Sequence, residues 1–464
     1  MKDAKTTKIS NHWSRFADET TLHGCKHVRD SQKPKCFKFL WAAVLILMIA
    51  ALMASLAMLW IRYSSYPFLT VWKLSRETSL TLPEISMCLR GEFDMDKVKS
   101  WDAAADFMKL RWSNDWSNSS NEFLQLPYSD ALSRFGIDER EVFLTIYMYD
   151  LGAFKRLPIT DWLKRHPEAG RACWRVLKKY VDINGIEHQF KLEMLNSIMV
   201  VLNPMISRLE DGHTAVGIEM FFHQPGSIYW VQRGISLSPG SYADVRFTHE
   251  HVRFLPLPYK SAGSVGCLDT EDAKFTNPLN FHNAYSFDLC IQELLIDRLQ
   301  NQCGCLFQPF ASRLNVKECT VLQYHLCYLS VQSTVLREAI RPDIKLCIGS
   351  CVNINYKTHL SYSGLETESL RNYLPLINGT NVSVVSESDM KNLIFIQIQP
   401  LSLDVTTVEH IPEMTLLDIV AQIGGFMGLF LGASLITWME LFDVALQIGW
   451  VYVSTTIRRL RGKA

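Results

Sequence analysis

The sequence carries no excess of charge of either sign, because 47 lysines and arginines balance 47 aspartates and glutamates. This balance gives no indication of a nucleic-acid partner. The sequence also lacks paired carboxylates, a nucleophile motif and the ligand spacing of a metal site, so an enzyme is disfavoured and neither cofactor nor metal is expected. Internal repeats and low-complexity tracts are absent as well. Apolar residues, in contrast, are abundant and unevenly distributed.

Two long runs contain no charged residue, Phe39 to Ile61 and Ile419 to Met439. At about 1.5 Å per residue, each is long enough to cross the roughly 30 Å hydrocarbon core of a bilayer as a helix. A signal peptide is the alternative for the first run, but that run starts late and residues 60–63 do not form a small-residue cleavage site. We therefore predict transmembrane helices at residues 39–61 and 418–450.

Basic residues lie between each apolar run and the nearer end of the chain. They lie between Lys26 and Lys38 and between Arg458 and Lys463, which favours a cytoplasmic location for both termini. The sequence thus predicts a multi-pass plasma-membrane protein in contact with membrane lipid. Its predicted segments are a cytoplasmic N-terminus at 1–38, a first span at 39–61, an extracellular domain at 62–417, a second span at 418–450 and a cytoplasmic C-terminus at 451–464.

The distribution of the twelve cysteines agrees with this topology. Cys25 and Cys36 fall on the predicted cytoplasmic side, and the other ten fall between the two spans. An even number of cysteines in an oxidising compartment predicts five disulfides. N-glycosylation sequons at Asn118, Asn378 and Asn381 also favour an extracellular location for this segment.

Local patterns between the spans predict an α+β domain. Residues 138–210 show helical spacing in places, for example at Leu192, Leu195, Ile198 and Leu202, so we expect helices there. The other patterns predict strands at 80–88, within 217–256 and at 393–398, and helices at 287–299 and 331–340.

Several motifs occur together with this topology. His23-Gly24 precedes the first span, Gly432-Ala433-Ser434 lies in the second, and Cys303-Gly304-Cys305 and Leu237-Ser238-Pro239-Gly240 lie between them. In this combination the chain resembles, over nearly its whole length, the degenerin and epithelial sodium channel family, which includes the acid-sensing ion channels. The resemblance implies two transmembrane helices, a disulfide-rich extracellular domain and a homo- or heterotrimeric channel that conducts Na⁺ and is sensitive to amiloride-like blockers.

The resemblance also implies a disulfide pairing, which the cysteine positions alone leave open. The implied pairs are Cys88–Cys173, Cys267–Cys351, Cys290–Cys347, Cys303–Cys327 and Cys305–Cys319. Some family members have a further bridge in the helical thumb region, whereas this chain has Gln292-Glu293-Leu294 and Lys345-Leu346 near the two positions. Because both partners are missing together, the absence is consistent with the loss of one disulfide.

The resemblance assigns the second span to the pore. Gly432, Ala433 and Ser434 would leave helical geometry and form a selectivity filter, and Ala421, Gln422, Gly425 and Gly428 would line the pore above it. Small residues allow close backbone approach, and irregular backbone at membrane depth is tolerated where it lines a water-filled path. The alternative is a helix-packing motif in a structural anchor.

Two acidic residues follow the predicted filter. Glu440 and Asp443 share a helix face. In a trimer, carboxylates roughly 8 Å from an axial ion would each contribute about 2 kcal/mol at an effective dielectric near 20. The alternative is a pair of solvated, inert acids. Acid-sensing relatives have an aspartate where this chain has Gln422, so we expect weaker cation attraction at the outer mouth.

The sequence does not identify the stimulus that opens such a channel. By resemblance, His23 and Gly24 would act in gating, and Tyr66 and Tyr259 would couple the external domain to the membrane; surface exposure and aromatic anchoring are the alternatives. The histidine pair of acid-sensing relatives is missing after the first span, and residues 331–345 contain few acids. Both observations lower the weight of proton gating, and an extracellular peptide is the leading alternative, so the predicted stimulus is an extracellular ligand, either a peptide or a proton.

Other functional classes remain as alternatives. A constitutive sodium leak channel needs no ligand. An ATP-gated trimer would need a lysine-rich nucleotide site, which the sequence lacks. A two-pass scavenger or lipid-binding receptor would not need the glycine-rich, acid-tipped second span.

Overall fold

The structure is a computed structural model. It describes residues 20, 22, 24–29, 32–102, 122–150, 153–157, 163–166, 172–176, 179–181, 187–209, 216–224, 234–341, 346–366, 368–369 and 390–461. The predicted sites His23, Asn118, Asn378 and Asn381 lie outside these residues. The chain divides into two compact units, Met1–Leu69 with Ile411–Ala464, and Thr70–His410. We call the second unit the disulfide domain.

Most described strands belong to two sheets. The strands are β1 (Phe68–Arg76), β2 (Leu80–Thr81), β3 (Glu84–Leu89), β4 (Phe143–Asp150), β5 (Ala153–Leu157), β6 (Leu163–His166), β7 (Cys173–Val176), β8 (Lys179–Val181), β9 (Glu187–Gln189), β10 (Lys191–Leu192), β11 (Ser197–Leu202), β12 (Ile218–His223), β13 (Ile235–Leu237), β14 (Ser241–Arg253), β15 (Val352–Gly364) and β16 (Ile394–Pro412). The strands predicted at 80–88, within 217–256 and at 393–398 are thereby confirmed.

The larger sheet has the order β15-β14-β16-β11-β4-β5, with β1 also pairing with β16. It is mixed, because β14 runs parallel to β16 and antiparallel to β15. The smaller sheet has the order β13-β12-β3-β7-β6. One hydrophobic cluster contains side chains of both sheets, among them Ile85 and Trp174 of the smaller and Ile146, Val200 and Ile396 of the larger. Full burial of such a side chain contributes about 1.5–3 kcal/mol, so this cluster is the main core of the sheets.

The prediction of a helix around residues 192–202 was wrong. These residues form the short strand β10 and the strand β11. β11 pairs with β16 on one side and β4 on the other, and Ile198, Val200, Val201 and Leu202 are all buried. A strand that is buried on both faces lacks polar alternation, so its apolar positions can coincide with helical spacing.

Helices of the disulfide domain form a second hydrophobic cluster, and helices of the other unit contain the long apolar segments. They are α1 (Cys25–Arg29), α2 (Lys35–Ser64), α3 (Met95–Lys99), α4 (Glu122–Gln125), α5 (Tyr128–Phe135), α6 (Glu139–Val142), α7 (Phe287–Cys303), α8 (Phe310–Leu314), α9 (Val321–Gln323), α10 (Leu329–Ile340), α11 (Leu416–Leu431) and α12 (Leu435–Arg461), with a 3₁₀ turn at Ile206–Arg208 and a π turn at Tyr324–Tyr328. The helices predicted at 287–299 and 331–340 are confirmed by α7 and α10. Ser286 caps α7 by accepting from the Leu289 amide, and the left-handed Gly304 ends it.

Five disulfides connect the domain, with the pairing that the family resemblance implies. Cys88–Cys173 links the neighbouring strands β3 and β7. The other four are nested in the sequence, because Cys267–Cys351 encloses Cys290–Cys347, which encloses Cys303–Cys327, which encloses Cys305–Cys319. At one position of the missing thumb bridge, Leu294 packs against the helical cluster instead.

In the other unit, α2 contains the first predicted span. Among the described residues, it is the one helix that is long and apolar enough by itself to cross a membrane. The second predicted span is divided between α11 and α12, which pass the same criterion only if they count as one span bent by 80°. Residues before α2 fold back along it, because the His27 ring lies 4.5 Å from the Trp41 ring and Gly24 neighbours Leu45.

Candidate functional site

The break between α11 and α12 is the most distinctive feature of the second apolar segment. Helix α11 starts with a capping box of Thr415 and Asp418 and ends at Gly432, whose φ of 62° is left-handed. The Gly432 amide donates to the Gly428 carbonyl over 3.0 Å, and the Ala433 amide donates to the Met427 carbonyl over 3.2 Å. Glycine permits this turn at no steric cost. Residues 432–434 are therefore non-helical, which is the geometry that the resemblance predicts for them.

Sequence reasoning missed a threonine in the first turn of the next helix, α12. Thr437 is 1% exposed, and its Oγ1 accepts a hydrogen bond of 3.0 Å from the Ser434 amide. This contact satisfies an amide at the start of α12. The i to i+3 spacing of Ser434 and Thr437 was a signal that could have revealed it. Thr437 thus fixes the direction in which the chain leaves the break.

One face of α11 presents small residues. Ala421, Gly425 and Gly428 follow each other at spacings of four and three and are exposed, as is Gln422. A side chain at Gly425 would meet no atom within 4 Å, and one at Gly428 would meet only the Ala433 carbonyl oxygen at 3.9 Å among the described residues. Within a single chain this stripe has free space beside it.

The two predicted pore acids lie on α12. Glu440 Oε2 accepts a hydrogen bond of 3.2 Å from Thr20 Oγ1, and Asp443 Oδ2 accepts one of 2.7 Å from Gln447 Nε2. Glu440 is half-buried and Asp443 is exposed. Nothing local in the sequence signals the contact of Thr20 with Glu440, because 420 residues separate them.

The predicted gating residues belong to different segments of the fold. Gly24 has a φ of 93° and starts the fold-back of the N-terminal segment. Tyr66 follows α2 with a left-handed φ of 50°, its amide donating to the Tyr63 carbonyl over 3.0 Å. Tyr259 belongs to the disulfide domain, where its amide donates to the Pro256 carbonyl over 3.1 Å. Left-handed backbone at a non-glycine residue such as Tyr66 is strained and is typical of functional junctions.

Two ion pairs join β1 to β16, and in both of them β1 supplies the cation. Lys73 Nζ lies 2.5 Å from Glu409 Oε2, and Arg76 Nε lies 3.0 Å from Asp404 Oδ1. Lys73 lowers the pKa of Glu409 through this hydrogen bond and through its charge. In both pairs the cation belongs to the strand that follows α2 and the anion to the strand that precedes α11.

Two histidines of the disulfide domain are buried and uncharged at neutral pH. His223 Nε2 lies 2.8 Å from Ser86 Oγ and Nδ1 lies 3.8 Å from Glu84. Burial and the charge of Arg175 lower the pKa of His223 to about 4. Burial also lowers the pKa of His249 to about 4. These groups titrate below the range of pH 5 to 7 in which a histidine sensor operates.

The buried His223 predicts a pH-dependent stability. The unfolded chain takes up a proton near pH 6.5, whereas the folded chain does so only near pH 4. Stability is therefore complete above pH 6.5 and decreases by up to about 3 kcal/mol as the pH falls toward 4. Thermal melting of the purified chain between pH 7 and 4.5 measures this effect. His223→Gln should make the profile less steep, with the remaining slope due to His249, whereas His359→Gln at an exposed position should leave it unchanged; an equal slope in all three proteins would contradict the prediction.

Comparison with known proteins now adds the family. The pattern of the amiloride-sensitive sodium channel family matches residues 16–157 and 172–444. Because this match covers most of the sequence, the chain belongs to that family of ion channels, which is not known to be enzymatic. Members of the family are plasma-membrane channels that conduct Na⁺ and assemble as oligomers.

Individual relatives are distant in sequence. Acid-sensing ion channel 1 of Gallus gallus is 22% identical over 472 residues, which cover 93% of this chain and 83% of the relative. The bile acid-sensitive ion channel of Mus musculus is 21% identical, with coverage of 92% and 86%. Acid-sensing ion channel 1B of Danio rerio is 23% identical, with coverage of 93% and 76%. A cryo-EM structure of a proton-activated chloride channel aligns over 90% of this chain and 100% of its own, but at 8% identity and a TM-score of 0.35 it has no bearing on the fold.

Proposed function

We propose that this chain is a subunit of a trimeric, sodium-selective cation channel that an extracellular ligand opens. The break at residues 432–434 carries the proposal, because it places non-helical backbone inside an apolar segment beside an exposed stripe of small residues. Three copies could bring these stripes together around an axis, and small residues permit such an approach. The backbone at Gly432, Ala433 and Ser434 would then form the constriction that selects Na⁺.

Glu440, Asp443 and helix α11 would line the same ion pathway. Glu440 and Asp443 would form rings that attract cations on the inner side, with Thr20 orienting the Glu440 carboxylate. Ala421, Gln422, Gly425 and Gly428 would line the outer part, where the uncharged Gln422 attracts cations more weakly than an aspartate. In this arrangement α2 and the α11–α12 pair are the two spans, and both termini are cytoplasmic.

The ligand is proposed to be a peptide rather than a proton. The low pKa of His223 and His249 removes two histidines as sensors between pH 5 and 7, and Lys73 already neutralises Glu409 by an ion pair. His23, Gly24, Tyr66 and Tyr259 would transmit opening to the pore. Because the sequence is similar to acid-sensing and bile acid-sensitive channels, protons and amphipathic organic acids are also stimuli to be tested. A current without any stimulus would indicate a constitutive leak channel.

Voltage-clamp recording after heterologous expression tests this function. By the family resemblance, Ala421 occupies a small-residue position at which a bulky side chain is expected to hold the pore open. We therefore expect Ala421→Trp to give an inward, amiloride-sensitive current that reverses near the Na⁺ equilibrium potential. Combined neutralisation by Glu440→Gln and Asp443→Asn should reduce the Na⁺ conductance several-fold, because the inner carboxylate charge is lost. Protons, peptides and bile acids are then applied to the wild-type channel.

The matched control neutralises an acid outside the proposed pathway. Asp130→Asn on α5 of the disulfide domain should leave conductance and reversal potential unchanged. If neither the wild type under any stimulus nor Ala421→Trp carries sodium current at normal surface expression, the homomeric channel is refuted. Co-expression with a related subunit then tests a heteromer.

A further inference from the structure

A cleft of about 650 Å³ lies in the disulfide domain between α7 and two neighbouring segments. One face of α7 forms a wall, with Cys290, Glu293, Leu294, Asp297 and Gln300 at the spacing of successive helical turns. The loop 278–281 and the segment 346–348 form the other walls. This volume lies within the range of small-molecule sites, roughly 300–1,000 Å³. The cleft is separate from the proposed pore, whose residues all belong to the other unit.

The walls are held by contacts that do not fill the space. Glu293 accepts hydrogen bonds from the backbone amides of Asn280 and Phe281, at 3.0 and 2.6 Å, which attaches the loop to the helix. The Tyr285 hydroxyl donates to the Ile348 carbonyl over 2.5 Å. The disulfide Cys290–Cys347 joins α7 to the third wall. The shape of the cleft is therefore fixed by the fold and does not depend on a ligand.

The position of the cleft coincides with the missing thumb bridge. Leu294 and Leu346, which stand near the positions of that bridge in other family members, both line it. Leu346 is 40% exposed. An extra disulfide here would join α7 to the third wall a second time. In its absence two apolar side chains face a space that a ligand can enter.

The charge of the lining is of one sign. Among the described residues, the lining includes the carboxylates of Glu293 and Asp297 but no lysine, arginine or histidine. Asp297 is exposed and accepts a 3.1 Å hydrogen bond from Asn301 Nδ2. The neighbouring Arg298 is paired with Glu338 at 3.5 Å, and Arg313 donates to the Phe281 carbonyl without lining the cleft. An anionic rim above Leu279, Phe281 and Leu294 complements a cation on an apolar body.

We propose that this cleft binds a small amphipathic cation, with its ammonium or guanidinium group at Asp297 and its apolar body against Leu294 and Leu346. Apolar burial supplies most of the affinity, and the carboxylate selects the charge. A basic side chain beside an aromatic or aliphatic one in a peptide presents this chemistry, as does a free arylalkylamine. The site would give the domain a ligand position that is independent of how the pore opens.

The test measures binding to the purified full-length chain, so its outcome does not depend on channel activity. The probes are 4-(4-fluorophenyl)butylamine, the corresponding alcohol and the corresponding carboxylate, followed by ¹⁹F NMR line broadening. We expect the amine to bind up to about fivefold more tightly than the alcohol, and the carboxylate to bind weakest, because one exposed ion pair contributes up to about fivefold in affinity. Equal binding of all three, or no binding of the amine at 10 mM, overturns the proposal.

Three variants locate the site. Asp297→Asn should weaken the amine about fivefold and leave the alcohol unchanged, whereas Asp130→Asn, which removes a carboxylate from α5, should change neither. Leu346→Trp should fill the cleft and abolish binding of both probes. Each variant is first required to melt within about 2 °C of the wild type, and Asp297→Asn at an exposed position serves if the tryptophan disturbs folding. Amine binding that is insensitive to Asp297→Asn places the probe elsewhere and refutes the site.

Discussion

Replacing Asp94 with alanine should destabilise the disulfide domain by about 2–4 kcal/mol, because a helix cap and a charge-assisted hydrogen bond are lost together. The Asp94 carboxylate is fully buried. It receives the Arg208 guanidinium, with Nε at 3.1 Å from Oδ1, and it caps α3 by accepting from the Asp96 amide over 3.0 Å. Alanine removes the cap and leaves the half-buried guanidinium with Glu141, at 2.7 Å, and Asp96 as its remaining acidic partners.

Thermal melting of the detergent-purified chain measures the effect. A loss of this size corresponds to a decrease in melting temperature on the order of 5–15 °C. Asp96→Asn is the matched control, because Asp96 also faces Arg208, at 3.6 Å, but its side chain is 67% exposed. It should change the stability by less than about 0.5 kcal/mol. Equal melting temperatures for both variants would show that the Asp94–Arg208 pair adds little to the fold.

Replacing Gly432 with valine should abolish the proposed sodium current, to less than one tenth of the parent at equal surface density. A left-handed φ of 62° costs a β-branched residue more than the roughly 1–2 kcal/mol paid by alanine-like residues. The new side chain would also enter the constriction where the copies approach each other. The measurement is voltage clamp in the Ala421→Trp background, with surface biotinylation of the same cells.

The control for this prediction is another glycine of the same segment. Gly449 lies inside α12, and a Cβ there would meet no described atom within 4 Å. Gly449→Ala should therefore leave the current unchanged and favour the helix slightly. A normal current from Gly432→Val, or an equal loss from Gly449→Ala, would remove the special role of the break.

Features with a local physical cause were predictable from the sequence. Helix α7 has a serine cap, a glycine end and a disulfide near each end, and it was predicted within a few residues. The break at Gly432 was anticipated through the family resemblance, and glycine allows the left-handed turn that the structure has there. The disulfide pairing became predictable only through the family resemblance, since spacing alone is compatible with many connectivities.

Features that depend on distant contacts were not predictable. The strand at Ser197–Leu202 was mistaken for a helix because β4 and β16 bury both of its faces. The pair of Asp94 and Arg208 joins residues 114 positions apart, and Thr20 meets Glu440 only after the N-terminal segment folds back. A local periodicity contains no information on such partners.

The nesting of four disulfides has a consequence for biosynthesis. The innermost pair, Cys305–Cys319, is separated by 14 positions and the outermost, Cys267–Cys351, by 84. At about 5–20 residues per second, the inner partners leave the ribosome within a few seconds of each other. Each inner closure shortens the flexible loop that the next bridge must close, which lowers its entropic cost. Oxidation should thus proceed from the inside outward, so that Cys267 finds Cys351 after the cysteines between them are already paired.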